Sequence, residues 1–276
     1  MSITAAILLV AHGDRGETAR NGPIAAMCAR LGRRWPEARV GFGVMNGEPS
    51  LGCGLAGLDV KAGEWLIVVP LFMADGFFTR VKLPRDLAAQ GAGMAEILAA
   101  AGLDPGVGDL IEARLREALG APRADGSILI CAHGSRSGVP DSRLAAEAMA
   151  GRLRAAGWGE VACAYVEEAP FITDGLDADR RDAVIGLFAS LGTHAINDVA
   201  AEVAGHPHVR LFIPAIGAEP EMAEVVAAMV ERRVERPSAE ERRAAIVALR
   251  RKARPLPGPD AAHSQDFLYG DDGLPI

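Results

Sequence analysis

One pattern runs through this chain twice. Ile7-Leu-Leu-Val-Ala-His12-Gly-Asp-Arg15 returns 121 residues later as Ile128-Leu-Ile-Cys-Ala-His133-Gly-Ser-Arg136. Val68-Val-Pro-Leu-Phe72 returns as Val184-Ile-Gly-Leu-Phe188 at an offset of 116. Gly102-Leu-Asp-Pro105 returns as Gly217-Ala-Glu-Pro220 at 115. Three landmarks in the same order at nearly constant offset mark an internal duplication. The period is far longer than the roughly 20–50 residues of a solenoid repeat. It therefore predicts two similar half-domains, 1–122 and 123–235, with 236–276 standing apart.

Each half alternates strand and helix. Ile7–Ala11 and Ile128–Ala132 are short, continuous apolar runs, the pattern of strands buried on both faces of a parallel sheet. Ala25–Arg34 and Leu144–Ala156 have helical apolar spacing. Arg39–Val44 and Val161–Val166 read as second strands, Trp65–Phe72 and Ala183–Phe188 as third strands. This alternation predicts an α/β fold with a mainly parallel sheet flanked by helices in each half. Right-handed crossovers then gather the carboxyl ends of all strands on one side of each sheet. Beyond the second half, Ser238-Ala-Glu-Glu241 has capping-box spacing. It predicts a basic helix to about Ala253, ended by Pro255, Pro257 and Pro259, and then a flexible tail.

Composition narrows the class. Half of the 276 residues are hydrophobic and 24% are charged, a globular balance. The net charge of −7 argues against a duplex nucleic-acid binder, which carries a basic footprint. Cys28, Cys53, Cys131 and Cys163 are scattered, with no CxxC pair, so neither a disulfide framework nor a zinc ribbon is expected. The amino terminus lacks a basic signal-peptide region, and no apolar run approaches the roughly 18 residues of a membrane span. The expectation is a soluble, cytoplasmic, reduced protein with no membrane contact.

Ligands of open α/β sheets bind at the carboxyl ends of strands. His12 and His133 each follow an apolar strand directly. In the second half Glu167 follows the second strand and His194 lies just past the third. Three strands of one half thus deliver His133, Glu167 and His194 to one rim. Imidazole with carboxylate suits borderline divalent ions such as Fe²⁺, Co²⁺, Ni²⁺ or Zn²⁺. The same groups can accept protons near neutral pH. In the first half the alignment sets Met45 opposite Glu167 and Phe78 opposite His194, leaving His12 alone. The second half is therefore read as the equipped one and the first as degenerate, a scaffold and cleft wall.

These residues resemble the class II sirohydrochlorin chelatases. The resemblance is carried by Ile128–Arg136, by Tyr165-Val-Glu-Glu-Ala-Pro170, and by Leu187-Phe-Ala-Ser-Leu-Gly-Thr-His194-Ala-Ile-Asn-Asp198. Glu48-Pro-Ser-Leu51 and Val69-Pro-Leu-Phe72 fit the same framework in the first half, and the similarity covers about 1–230. It implies two chelatase-like lobes with the site in the cleft between them. It further implies insertion of Co²⁺ or Fe²⁺ into sirohydrochlorin, on a route to cobalamin or siroheme. His133 and His194 then bind the incoming metal and assist deprotonation of the macrocycle, with Glu167 as the acidic partner and Glu168 the alternative to it. No permanently bound cofactor is implied; the metal is a substrate.

The implied tetrapyrrole is polycarboxylated, so cations near the strand ends become substrate-binding candidates. These are Arg15, Arg136, Arg80 and Lys82, with Arg85 and Arg143 nearby; Ser135 and His12 are polar candidates in the same loops. Arginine suits bidentate carboxylate pairing. The competing reading is a carrier of tetrapyrrole or metal, descended from a chelatase but without turnover. A histidine phosphatase is a third reading, which Ala11 and Ala132 oppose because they stand where such enzymes place arginine. Fused lobes suit a monomer, with a homodimer the alternative.

Overall fold

The computed structural model describes residues 3–13, 21–61, 63–136, 138–177, 180–192, 199–235 and 243. The chain forms two compact units, Met1–Arg233 and Val234–Ile276. The predicted basic helix falls almost wholly outside the described residues.

The first unit holds two four-stranded sheets built from the same elements in the same order. The first sheet contains β1 (Ala6–Ala11), β2 (Arg39–Val44), β3 (Leu66–Pro70) and β4 (Glu96–Ile97). Its helices are α1 (Gly22–Arg34), α2 (Leu51–Leu58), α3 (Leu83–Ala89) and α4 (Pro105–Leu119). The second contains β5 (Ser127–Ala132), β6 (Glu160–Tyr165), β7 (Ala183–Gly186) and β8 (Leu211–Ile213). Its helices are α5 (Asp141–Ala155), α6 (Ile172–Asp177), α7 (Ala200–Ala204) and α8 (Met222–Glu235). Strand orders are β2-β1-β3-β4 and β6-β5-β7-β8, and every pairing is parallel. The duplicated α/β architecture expected from the repeat is the architecture found.

Burial on both faces explains the unbroken apolar runs. Ala6, Leu8 and Val10 point to one face and pack with Leu51 and Leu58 of α2 and Leu83 and Leu87 of α3. In the second lobe Leu129 and Cys131 meet Ile172 and Leu176 of α6 and Val203 of α7. Side chains alternate along a strand, so Ile7, Leu9, Ile128 and Ile130, all buried, point to the opposite faces.

Backbone hydrogen bonds repeat with the sequence. Leu71 N–H donates to Val10 O as Leu187 N–H donates to Cys131 O, both at 2.7 Å. Gly102 N–H donates to Phe72 O and Gly217 N–H to Phe188 O. One correspondence differs from expectation. Asn46 N–H donates to His12 O as Glu167 N–H does to His133 O. Asn46, not Met45, therefore stands opposite Glu167. The offset of 121 is held by pairing with the central strand, through to Pro49 and Pro170, whose carbonyls accept from Val44 and Tyr165.

The last helix of each lobe reaches the other lobe. Helix α4 lies against α5 and β8. Arg114 of α4 bonds Glu219 and Glu221, while Arg152 of α5 donates to Pro105 O at 2.7 Å. In return α8 of the second lobe meets α1 through Arg30–Glu224 at 2.9 Å and Arg34–Glu231 at 2.8 Å. Arg232 and Arg233 of α8 pair with Asp104 and Glu96 of the first lobe.

Candidate functional site

In each sheet the chain moves to one side of the central strand and then to the other. This reversal opens a crevice at the carboxyl ends of β1 with β3 and of β5 with β7. His12 and His133 stand at those two points.

In the second lobe His133 has an acid beside it. Its Nδ1 lies 3.6 Å from Glu167 Oε2. The backbone enforces the approach: Glu167 N–H donates to His133 O at 3.0 Å, tying the exit of β6 to that of β5. The second Glu167 oxygen lies 3.5 Å from Arg136 Nε. An exposed imidazole and a partly buried carboxylate thus share one rim, a pair able to hold a borderline divalent ion or to take a proton. Ser135 continues the same loop.

Glu168 points elsewhere. Its Oε2 accepts from Arg143 at 2.8 and 3.3 Å, and Arg143 also donates to Ala169 O at 2.7 Å. The guanidinium lies over the Tyr165 ring, 4.4 Å from its centre. The other oxygen, Oε1, is buried without a hydrogen-bond partner. Glu168 is therefore turned into the protein, and the acid presented beside His133 is Glu167. Gly134 makes room for this packing. It has φ of +73°, and a Cβ there would lie 2.8 Å from Glu168 Cγ and 2.9 Å from Tyr165 Cβ. Its N–H donates to Ser142 Oγ at 3.1 Å, which fastens the histidine loop to the start of α5.

The first lobe keeps the histidine and changes its company. His12 Nδ1 lies 2.9 Å from Gly13 O, and Nε2 lies 3.2 Å from Asn46 Nδ2. An Nδ1–H donated to Gly13 leaves Nε2 to accept from the Asn46 amide. The ring meets Phe78 edge-on at 4.8 Å. An amide stands where the second lobe has a carboxylate.

The expected cations divide. Arg80 reaches the second lobe, 3.5 Å from Asp141 at the start of α5. Lys82 pairs with Asp86 one turn along its own segment, and Arg85 leans on the same carboxylate at 3.4 Å. His194 and Arg15 lie outside the described residues. Among the described residues no group of three or more His, Cys, Asp or Glu is arranged to hold a metal ion. The thiols of Cys28 and Cys163 are pushed up by burial to about 12 and about 11, and that of Cys131 higher still. These three are protonated thiols rather than thiolate ligands. Sequence reasoning missed Asn46, Ser142 and Asp141; counting 121 residues back from Glu167 finds the first of them.

A family model, CbiX, matches residues 6–118 and again residues 127–233. The chain belongs to the CbiX family. The two matched segments run from β1 into α4 and from β5 into α8, so each lobe is one CbiX unit. Of the CbiX pair, the second unit carries the histidine–carboxylate rim and the first the histidine–amide rim.

Among solved structures, the chain is 33% identical to CbiX described as the terminal enzyme for biosynthesis of siroheme in denitrifying bacteria. That match covers 82% of this chain and 97% of the other, with a TM-score of 0.67. SirB from Bacillus subtilis with Fe³⁺ shares the fold at 19% identity and a TM-score of 0.67, over 83% of this chain and 95% of that one. The sirohydrochlorin chelatase SirB from Bacillus subtilis subspecies spizizenii, in complex with cobalt, does so at 20% and 0.65, over 87% and 99%. No curated protein matches the chain. No helix among the described residues is long and apolar enough to cross a membrane.

Proposed function

We propose that this protein inserts a divalent metal ion, Co²⁺ or Fe²⁺, into sirohydrochlorin, with the second CbiX unit as the working lobe. The observation that carries the reading is the approach of His133 to Glu167, 3.6 Å apart at the carboxyl rim of β5 and β6. Family membership and the 33% identical siroheme enzyme supply the substrate class.

The reaction exchanges two inner N–H protons of the macrocycle for one metal ion. The metal must shed water, which a small set of imidazole and carboxylate ligands promotes while leaving positions open for ring nitrogens. His133, Glu167 and His194 form that set in this reading. The departing protons need a base close to the ring centre, and a neutral His133 serves. Glu167 beside it stabilises the imidazolium that results. Lodging the ring in the cleft supplies binding energy for bending it, which turns pyrrole lone pairs toward the metal. Arg80, Arg136 and Arg15 bind peripheral carboxylates, with Ser135 and His12 as polar contacts. The metal enters and leaves as substrate, and no resident cofactor takes part. The reaction belongs to cobalamin or siroheme formation in the cytoplasm, and the fused lobes act as a monomer.

The test is absorbance of sirohydrochlorin mixed with purified protein and Co²⁺, Fe²⁺ or Ni²⁺ in turn. Conversion well above the uncatalysed rate supports the chelatase. Binding of the pigment with no acceleration by any ion replaces it with the carrier reading.

A further inference from the structure

The turn Gly76–Arg80 of the first lobe displays a ring that the fold does not use. Phe78 is held between Phe72, stacked at 6.1 Å and 18°, and His12, edge-on at 4.8 Å. Phe77 packs edge-on against Phe78 at 5.8 Å and is itself 60% exposed. Val81, four residues on, is 51% exposed. The backbone here is unusual as well. Phe78–Lys82 is a π-helical turn, closed by Leu83 N–H on Phe78 O. Such turns are rare and gather at functional sites.

The turn lies beside the equipped rim. Arg80 is 3.5 Å from Asp141, and a Cβ on Gly76 would come within 3.2 Å of the same carboxylate. The next residue, Ser142, holds the N–H of Gly134 directly after His133. A short chain of contacts thus joins the displayed ring to the histidine loop of the other lobe.

We infer that Phe77, seated on Phe78, is a stacking platform for the flat face of a polycarboxylated macrocycle. The inference rests on the chelatase reading and adds a binding residue from the lobe whose rim has an amide in place of the carboxylate. A conjugated ring stacks on an aromatic face. Arg80 on the same turn and Arg85 just after it each lean on a carboxylate, at 3.5 and 3.4 Å, yet stay 62% and 68% exposed in their side chains. An exposed aromatic ring with exposed guanidinium groups three and eight residues on suits a flat ring fringed with carboxylates. A stable protein partner covers about 800 Å² on each side, far more than Phe77 and Val81 present.

The experiment compares wild type, Phe77→Ala and Phe77→Trp, using sirohydrochlorin for binding and Co²⁺ insertion for turnover. Exposure of Phe77 makes both variants safe for folding. Phe77→Ala is expected to weaken sirohydrochlorin binding and raise KM about tenfold, with kcat within about twofold. The added tryptophan in Phe77→Trp is expected to lose most of its emission when metal-free sirohydrochlorin binds. Normal insertion by wild type with unchanged KM in Phe77→Ala and unquenched Phe77→Trp overturns the platform and leaves the chelatase reading standing. A wild type that neither binds nor metallates sirohydrochlorin overturns both. A Phe77→Ala variant that changes oligomeric state but binds sirohydrochlorin as wild type does assigns the ring to a subunit contact and overturns the platform.

Discussion

Arg143 grips Glu168 at 2.8 Å from above the Tyr165 ring. The pair ties the first turn of α5 to the exit of β6, and so fixes the backbone that presents Glu167. Removing the guanidinium strands a carboxylate that already has one buried, unpartnered oxygen. Arg143→Ala is expected to lower stability, read as a fall in the urea midpoint. The double variant Arg143→Ala with Glu168→Gln should recover part of that loss. Additive losses in the double variant would show the contact to be energetically idle.

The two lobes predict unequal histidines. His133→Ala and His194→Ala should each lower metal insertion about 100-fold or more while circular dichroism stays that of the wild type. Among the described residues His12 is bonded to Gly13 and Asn46, with an amide where His133 has a carboxylate. His12→Ala should therefore cost less than either. The reverse order, measured with sirohydrochlorin and Co²⁺, would move the reaction to the first lobe.

Gly134 couples the two preceding predictions. Any side chain there meets both a left-handed φ of +73° and the packed Glu168 and Tyr165 side chains. Gly134→Ala should destabilise by about 2 kcal/mol and displace the His133 loop, lowering insertion as well. A variant with wild-type melting temperature and rate would contradict the packing argument.

The contact of α1 with α8 predicts a pH dependence of stability. The Arg34 hydrogen bond, and after it that of Trp35, holds the Glu231 carboxyl below the ordinary glutamate value. The unfolded chain then binds a proton more readily than the native one. The stabilisation is complete above the unfolded-state value of about 4.3 and fades as pH falls through the lower native value. Glu231→Gln should lose about 1 kcal/mol at pH 7 and show a flatter stability profile below about pH 5. Parallel wild-type and variant profiles between pH 7 and pH 3 would refute this.

The central strands were legible because burial on both faces leaves an unbroken apolar run, as in Ile7–Val10 and Ile128–Cys131. Of the edge strands, β2 and β6 were legible, but β4 and β8 were not: Glu96–Ile97 and Leu211–Ile213 are too short to form a pattern. Helix α2, Leu-Gly-Cys-Gly-Leu-Ala-Gly-Leu, contradicts local propensity. It forms because Ser50 caps it and because its glycine lets it lie close on β2, where a Cβ on Gly54 would come 2.5 Å from Phe42 O. The meeting of His133 and Glu167 followed from strand ends alone. The choice between Glu167 and Glu168 did not, since it depends on Arg143 at the start of α5 turning to Glu168, a contact with no trace in the spacing. Lys82 pairs with Asp86 four residues on, a spacing the sequence displays.

The reciprocal placement of α4 and α8 has a consequence for any attempt to divide the molecule. Severed between Leu119 and Ser127, each fragment would keep its own sheet but hold out a helix whose seat is on the other fragment. The fragments should therefore seek one another, as two hands clasp, and the short peptide joining them serves chiefly to keep the clasp at high local concentration.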